Sequence, residues 1–174
     1  MNGVYDMQNI GAVLATRNAC SGKLTAGGSG DAVKVTGNTI DRMPSGGTKN
    51  GDTSVPAPGF LSCCLTVAGQ ATLADTQQLL IAAEIQDSAD GTNWNTAVAL
   101  QASTPVAKSS GGTTEKTWVN KIDVNLKPYA RYVRFNVTPD LDASGTDTAL
   151  WAAVATLGGA DQLPVGQAAI LKSV

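Results

Sequence analysis

Apolar and polar residues alternate with period two in several separate stretches of the chain, the pattern of strands with one buried face. Asp31–Gly37 alternates, with Val33 and Val35 on one side, and Thr39 and Ile40 open the next strand. Residues 60–69 form a nearly continuous apolar run. It reads as a core strand buried on both sides, or as one buried against a partner. After a connection at 70–76, Leu79, Ile81, Ala83 and Ile85 share one face, opposite Leu80, Ala82, Glu84 and Gln86. That strand ends at Asp87–Trp94, where Asp90-Gly91 signals a tight turn. Residues 96–102 return as a short strand, and 103–113 read as a loop. Trp118 opens a strand through Ile122, Val124 and Leu126, with Lys121, Asp123 and Asn125 outward, and Pro128 ends it. Val133, Phe135 and Val137 then point inward and Tyr132, Arg134 and Asn136 outward, until Pro139 stops the pattern. Beyond the polar turn 140–146, Trp151, Ala153, Ala155 and Leu157 alternate with Leu150, Ala152, Val154 and Thr156, and Gly158-Gly159 closes the strand.

The stretches between and around these strands lack such a period. Residues 1–30 read as an extended N-terminal arm, because SGKLTAGGSG at 21–30 breaks any regular pattern. Residues 44–59 are a turn-rich loop containing Asn50-Gly51 and prolines. Residues 161–174 are a C-terminal tail whose Ala168, Ala169, Ile170, Leu171 and Val174 need a surface to dock on. Seven or eight short strands with no long helix predict an all-β fold: an antiparallel β-sandwich of jelly-roll type over residues 31–160, flanked by arm and tail. Such sheets have edges that need protection or partners.

Composition sharpens this picture. Of 174 residues, 43% are apolar, enough for a core, but only 15% are charged, against roughly 25% in an ordinary soluble domain. Faces poor in charge suit burial against neighbours. The net charge of -2 argues against nucleic acid as a partner, and Lys116, Lys121, Lys127, Arg131 and Arg134 form only a loose basic group. No apolar stretch approaches the roughly 18 residues of a membrane span, and the N-terminus lacks the basic start and dense apolar run of a signal peptide. Cys20, Cys63 and Cys64 make a poor disulfide framework and read as reduced strand residues, consistent with synthesis in a cytoplasm.

Candidate chemistry is sparse. The chain has no histidine, which removes Ser-His-Asp triads and the usual base near neutral pH. No phosphate-binding glycine loop and no zinc-site spacing is present, so no cofactor is expected. Glu84, Asp87 and Asp90 are the carboxylates to weigh as an acid pair, but they fall on an outward face and in a turn. Asp87, Asp90 and Asn93 could form a weak calcium loop, yet the closing Glu is missing and turn formation accounts for them. Asp140, Asp142, Ser144 and Asp147 invite the same two readings. Trp118 and Trp151 suit the core or an interface. Trp94, beside its hairpin, remains a candidate ligand contact, and Tyr132 and Arg134 are candidate partner contacts.

The segments Gln86-Asp87-Ser88-Ala89-Asp90-Gly91-Thr92-Asn93-Trp94 and Ala130-Arg131-Tyr132-Val133-Arg134-Phe135 carry a resemblance. They are similar to the hairpin and later strand of discoidin-like, galactose-binding-like jelly rolls. With Asp140–Ala149 and Leu157-Gly158-Gly159 added, the chain more closely resembles small structural proteins of tailed bacteriophages. The likeness covers residues 78–160; residues 1–77 match neither family. It implies a non-enzymatic virion component, made in the host cytoplasm: a minor capsid, decoration or head-to-tail protein that contacts other capsid proteins and forms a homo-oligomer. The sugar-binding likeness implies the alternative, a carbohydrate-binding or adhesion module with a glycan partner, but transfers no sugar contact to this chain.

Overall fold

The computed structural model describes residues 14–25, 31–43, 59–142 and 146–159. Eight strands lie among them: β1 (Ala15–Thr25), β2 (Ile40–Asp41), β3 (Ser62–Leu73), β4 (Gln78–Ser88), β5 (Val98–Lys108), β6 (Thr114–Asn125), β7 (Tyr132–Leu141) and β8 (Thr148–Gly158). They form two four-stranded antiparallel sheets, ordered β1-β8-β3-β6 and β2-β7-β4-β5. This is a jelly-roll sandwich, in which successive strands cross repeatedly between two packed sheets.

The inward faces are those the alternation predicts. Leu65, Val67 and Leu73 from β3 meet Leu79, Ile81 and Ile85 from β4 and Val133, Phe135 and Val137 from β7, all buried. One row across the first sheet is unusual: Gly22, Trp151, Gly69 and Trp118 stand side by side on β1, β8, β3 and β6. A Cβ on Gly69 would lie 2.2 Å from the Leu150 carbonyl oxygen, and one on Gly22 would lie 3.1 Å from the Trp151 ring. Gly22 thus leaves room for the Trp151 ring, and Gly69 for the close approach of the β8 backbone at Leu150 and Trp151.

Several expectations change. Residues 15–25, read as part of an arm, form the full edge strand β1 on β8. A charged residue among its buried positions, Arg17, and a bulge between Asn18 and Cys20 hide its period. Residues 1–13 and 26–30, the loop 44–58, residues 143–145 and the tail from 160 lie outside the described residues. Asp31–Gly37 is no continuous strand: Val35 makes an isolated bridge to Val137, while Val33 is 60% exposed. The loop expected at 103–113 is strand as far as Lys108, because β5 is an edge with register shifts and an exposed face, which erases the alternation. Pro139 lies within β7, paired with Ile81. Val137 turns its N–H and C=O toward Val35, and the Leu141 N–H turns to Asp31 Oδ2. The Pro139 nitrogen therefore faces the same side, away from β4, and costs no ladder bond. Asn136, expected outward, is buried: its Nδ2 donates to Gln86 Oε1 and its Oδ1 accepts from the Gly37 N–H.

Candidate functional site

Trp94, Tyr132 and Arg134 gather at one corner of the sandwich, where β4 leaves its sheet and β7 enters it. Asp87, at the end of β4, accepts from Asn95 Nδ2 at 3.0 Å and from the Ala130 N–H at 2.7 Å, so one carboxylate ties the loop after β4 to the connection before β7. Asp90 closes the turn. Its Oδ1 accepts from the N–H groups of Thr92 and Asn93, each at 2.8 Å, and from Ser88 Oγ, while its Oδ2 accepts from Asn93 Nδ2 at 2.7 Å. These donors, the backbone N–H groups first, hold the Asp90 carboxyl well below the usual carboxylate range. Gly91, at φ 78°, rests on the Tyr132 ring at a place where a side chain would be strained.

Gln86 joins this loop to the outer face of β7. Its Oε1 accepts from Arg134 Nε at 3.0 Å and its Nε2 donates to the Asn95 carbonyl. The Arg134 guanidinium thereby lies 4.2 Å over the Trp94 ring, a cation–π contact. Arg131 forms a fork to Asp41, at 3.0 and 2.7 Å, and stands over Tyr132. Arg42 was not singled out from sequence. It is buried and donates to the carbonyls of Phe60, Tyr129 and Ala130, pinning two connections together.

In Asp87, Asp90 and Asn93, the set expected as a weak calcium loop, the carboxylate oxygens accept N–H donors of the turn and of Ala130. Among the described residues no group of three His, Cys, Asp or Glu is placed to hold a metal ion. Burial pushes the Cys20 thiol up to about 11 and the Cys63 thiol to about 12, so both stay protonated.

The first sheet presents a different surface. On its outer face Leu150 is 63% exposed and Val119 60%, beside Ala152, Val154 and Ala68. The signal was present in sequence, since both faces of β3 and β8 read as apolar. A shallow depression of about 880 Å³, bordered by Leu14, Leu61, Cys64, Thr156 and Gly158, extends this face at one end. A smaller recess of about 500 Å³ opens between β1 and the Asp31–Val35 segment, over Gly22 and Trp151.

No family profile and no curated protein matches the chain. Among solved structures, the chain is similar to the infectious bursal disease virus VP2 subviral particle, with TM-score 0.45 and 10% identity over 90% of this chain and 34% of that one. It is similar to the T13 particle of the same virus, with TM-score 0.45 and 9% identity over 83% of this chain and 30% of that one. A carbohydrate binding module from Cellvibrio mixtus lichenase 5A, in complex with cellotriose, aligns with TM-score 0.30 and 12% identity over 82% of this chain and 96% of the module. The chain spans about a third of the length of the viral proteins it matches.

Proposed function

We propose that the chain is a non-enzymatic structural protein of a virion, an accessory capsid, decoration or head-to-tail component that stabilises the particle through protein–protein contacts. The observation that carries this reading is the division of labour between the two sheets. The polar residues of the β4–β7 corner are spent on holding their own loop, while the first sheet offers solvent a broad face with few charges and exposed Leu150 and Val119. Exposed apolar patches of this kind mark interaction sites. Jelly rolls recur in viral capsids, but equally in lectins and cupins, so the fold supports this role only by analogy. The tailed-phage setting rests on the sequence resemblance over residues 78–160.

Mass spectrometry and immunogold microscopy of purified particles test the proposal. The chain is expected at a fixed copy number on the shell or its vertices, and its absence from intact particles would sink the reading. The glycan-binding alternative loses ground at Trp94, one ring face of which is taken by Arg134. Glycan-array binding abolished by Trp94→Ala would restore it.

A further inference from the structure

The outer face of the first sheet can be read row by row from the strand register. From β1 to β6 the rows are Thr25–Thr148–Thr72–Glu115, Lys23–Leu150–Gln70–Thr117, Ser21–Ala152–Ala68–Val119, Asn18–Val154–Thr66–Lys121 and Thr16–Thr156–Cys64–Asp123. The two central strands, β8 and β3, contribute no charge to these rows. Charge is confined to the margins: Lys23 on β1, and Glu115, Lys121 and Asp123 on β6. On the other sheet's outer face, β4 and β7 carry polar contacts of their own, Lys34 to Glu84 and Gln86 to Arg134. The first face carries no ion pair among the described residues.

We infer that this face packs against the same face of a second copy, sheet on sheet, about a two-fold axis running along the strands. Four strands about 4.8 Å apart and roughly ten residues long at about 3.3 Å each give a face of about 600 Å². Two such faces bury about 1,200 Å², above the roughly 1,000 Å² that a specific interface requires. Charge selects the axis. A two-fold along the strands lays β8 over the partner's β3 and β1 over the partner's β6, each row meeting its own row. Lys23 then lies one row from the partner's Glu115, and Lys121 and Asp123 meet Asn18 and Thr16, so no like charges oppose. A two-fold across the strands would instead lay β6 on β6 with the rows reversed, setting Asp123 against Glu115 twice. Aligned packing of twisted sheets is a standard sandwich geometry, and a two-fold contact is self-complementary as this face is.

The inference rests on the assembly role proposed above and names its surface and symmetry. Sedimentation equilibrium on the purified full chain tests it, apart from any particle. A dimer with a dissociation constant in the micromolar range is expected. Leu150→Lys should weaken it about 100-fold, since each change removes two buried Leu side chains. Val119→Lys should act in the same direction. Both residues are exposed in the single chain, so circular dichroism should show each variant folded. Lys23→Glu and Glu115→Lys should each weaken the dimer, and the double exchange should restore it. A chain that stays monomeric up to about 1 mM would overturn the inference. So would a dimer indifferent to Leu150→Lys and Val119→Lys. A dimer broken by those two changes but unmoved by the charge exchange would overturn the axis. Failure to find the chain on particles would overturn the virion role and leave the dimer standing.

Discussion

At the scale of single residues, Asp90 is a turn part, and its donors show why. Four donors, two of them backbone N–H groups, converge on a carboxylate open to solvent. Its pKa in the fold lies below the unfolded value of about 3.9, so the ionised form is the one the native loop holds. The resulting stabilisation is complete above that unfolded value and is lost as pH falls toward the folded one. Asp90→Asn should therefore lower the urea midpoint at pH 7. The gap to the wild-type chain should narrow below about pH 4, as urea titrations across that range would show. The turn itself was legible in Asp90-Gly91. That Asp87 reaches Ala130 was not, because the two are brought together only when β7 pairs with β4.

At the scale of elements, β1 and β3 carry the main lessons. The inward positions of β1 mix Ala15 and Ala19 with Arg17 and Leu24 and are interrupted by a bulge, so no apolar period sets the strand apart from the segments around it. As an edge strand covering β8 it belongs to the sandwich. Deleting residues 1–25 should thus abolish cooperative thermal unfolding followed by circular dichroism, whereas a dispensable arm would leave the transition intact. On β3, Gly69 is fixed by its neighbours: a Cβ would meet the Leu150 carbonyl oxygen at 2.2 Å and Trp151 at 2.9 Å. Gly69→Ala should force the strands apart and cost about 2 kcal/mol or more in chemical denaturation. The apolar run at 60–69 suggested burial on both sides or against a partner. Among the described residues one side is buried, and half-buried Cys64, Thr66 and Ala68 line the other.

At the scale of the whole molecule, the sandwich separates its thiols. Cys20 and Cys63 face the core with raised pKa values, while Cys64, one residue on, turns to the outer face. A maleimide added to the native protein should label Cys64 first. The other two should label only at the rate of unfolding, which mass spectrometry of tryptic peptides can follow. Cys64→Ser should remove the fast phase alone. In the proposed dimer Cys64 is covered by the partner's Thr156, so the fast phase should also slow as protein concentration rises.

Fold class, the inward faces of β4, β6, β7 and β8, and the turn at Asp90-Gly91 are legible in the sequence. Each of these follows from the period-two pattern or from local turn chemistry, which a single segment carries within itself. The tertiary structure alone decided that residues 15–25 are an edge strand and that Pro139 can lie inside one. It also set the glycines and tryptophans in one row and, among the described residues, left the outer face of the first sheet uncovered. These features depend on which strands become neighbours, and residues distant in the chain meet only through the crossings of the jelly roll.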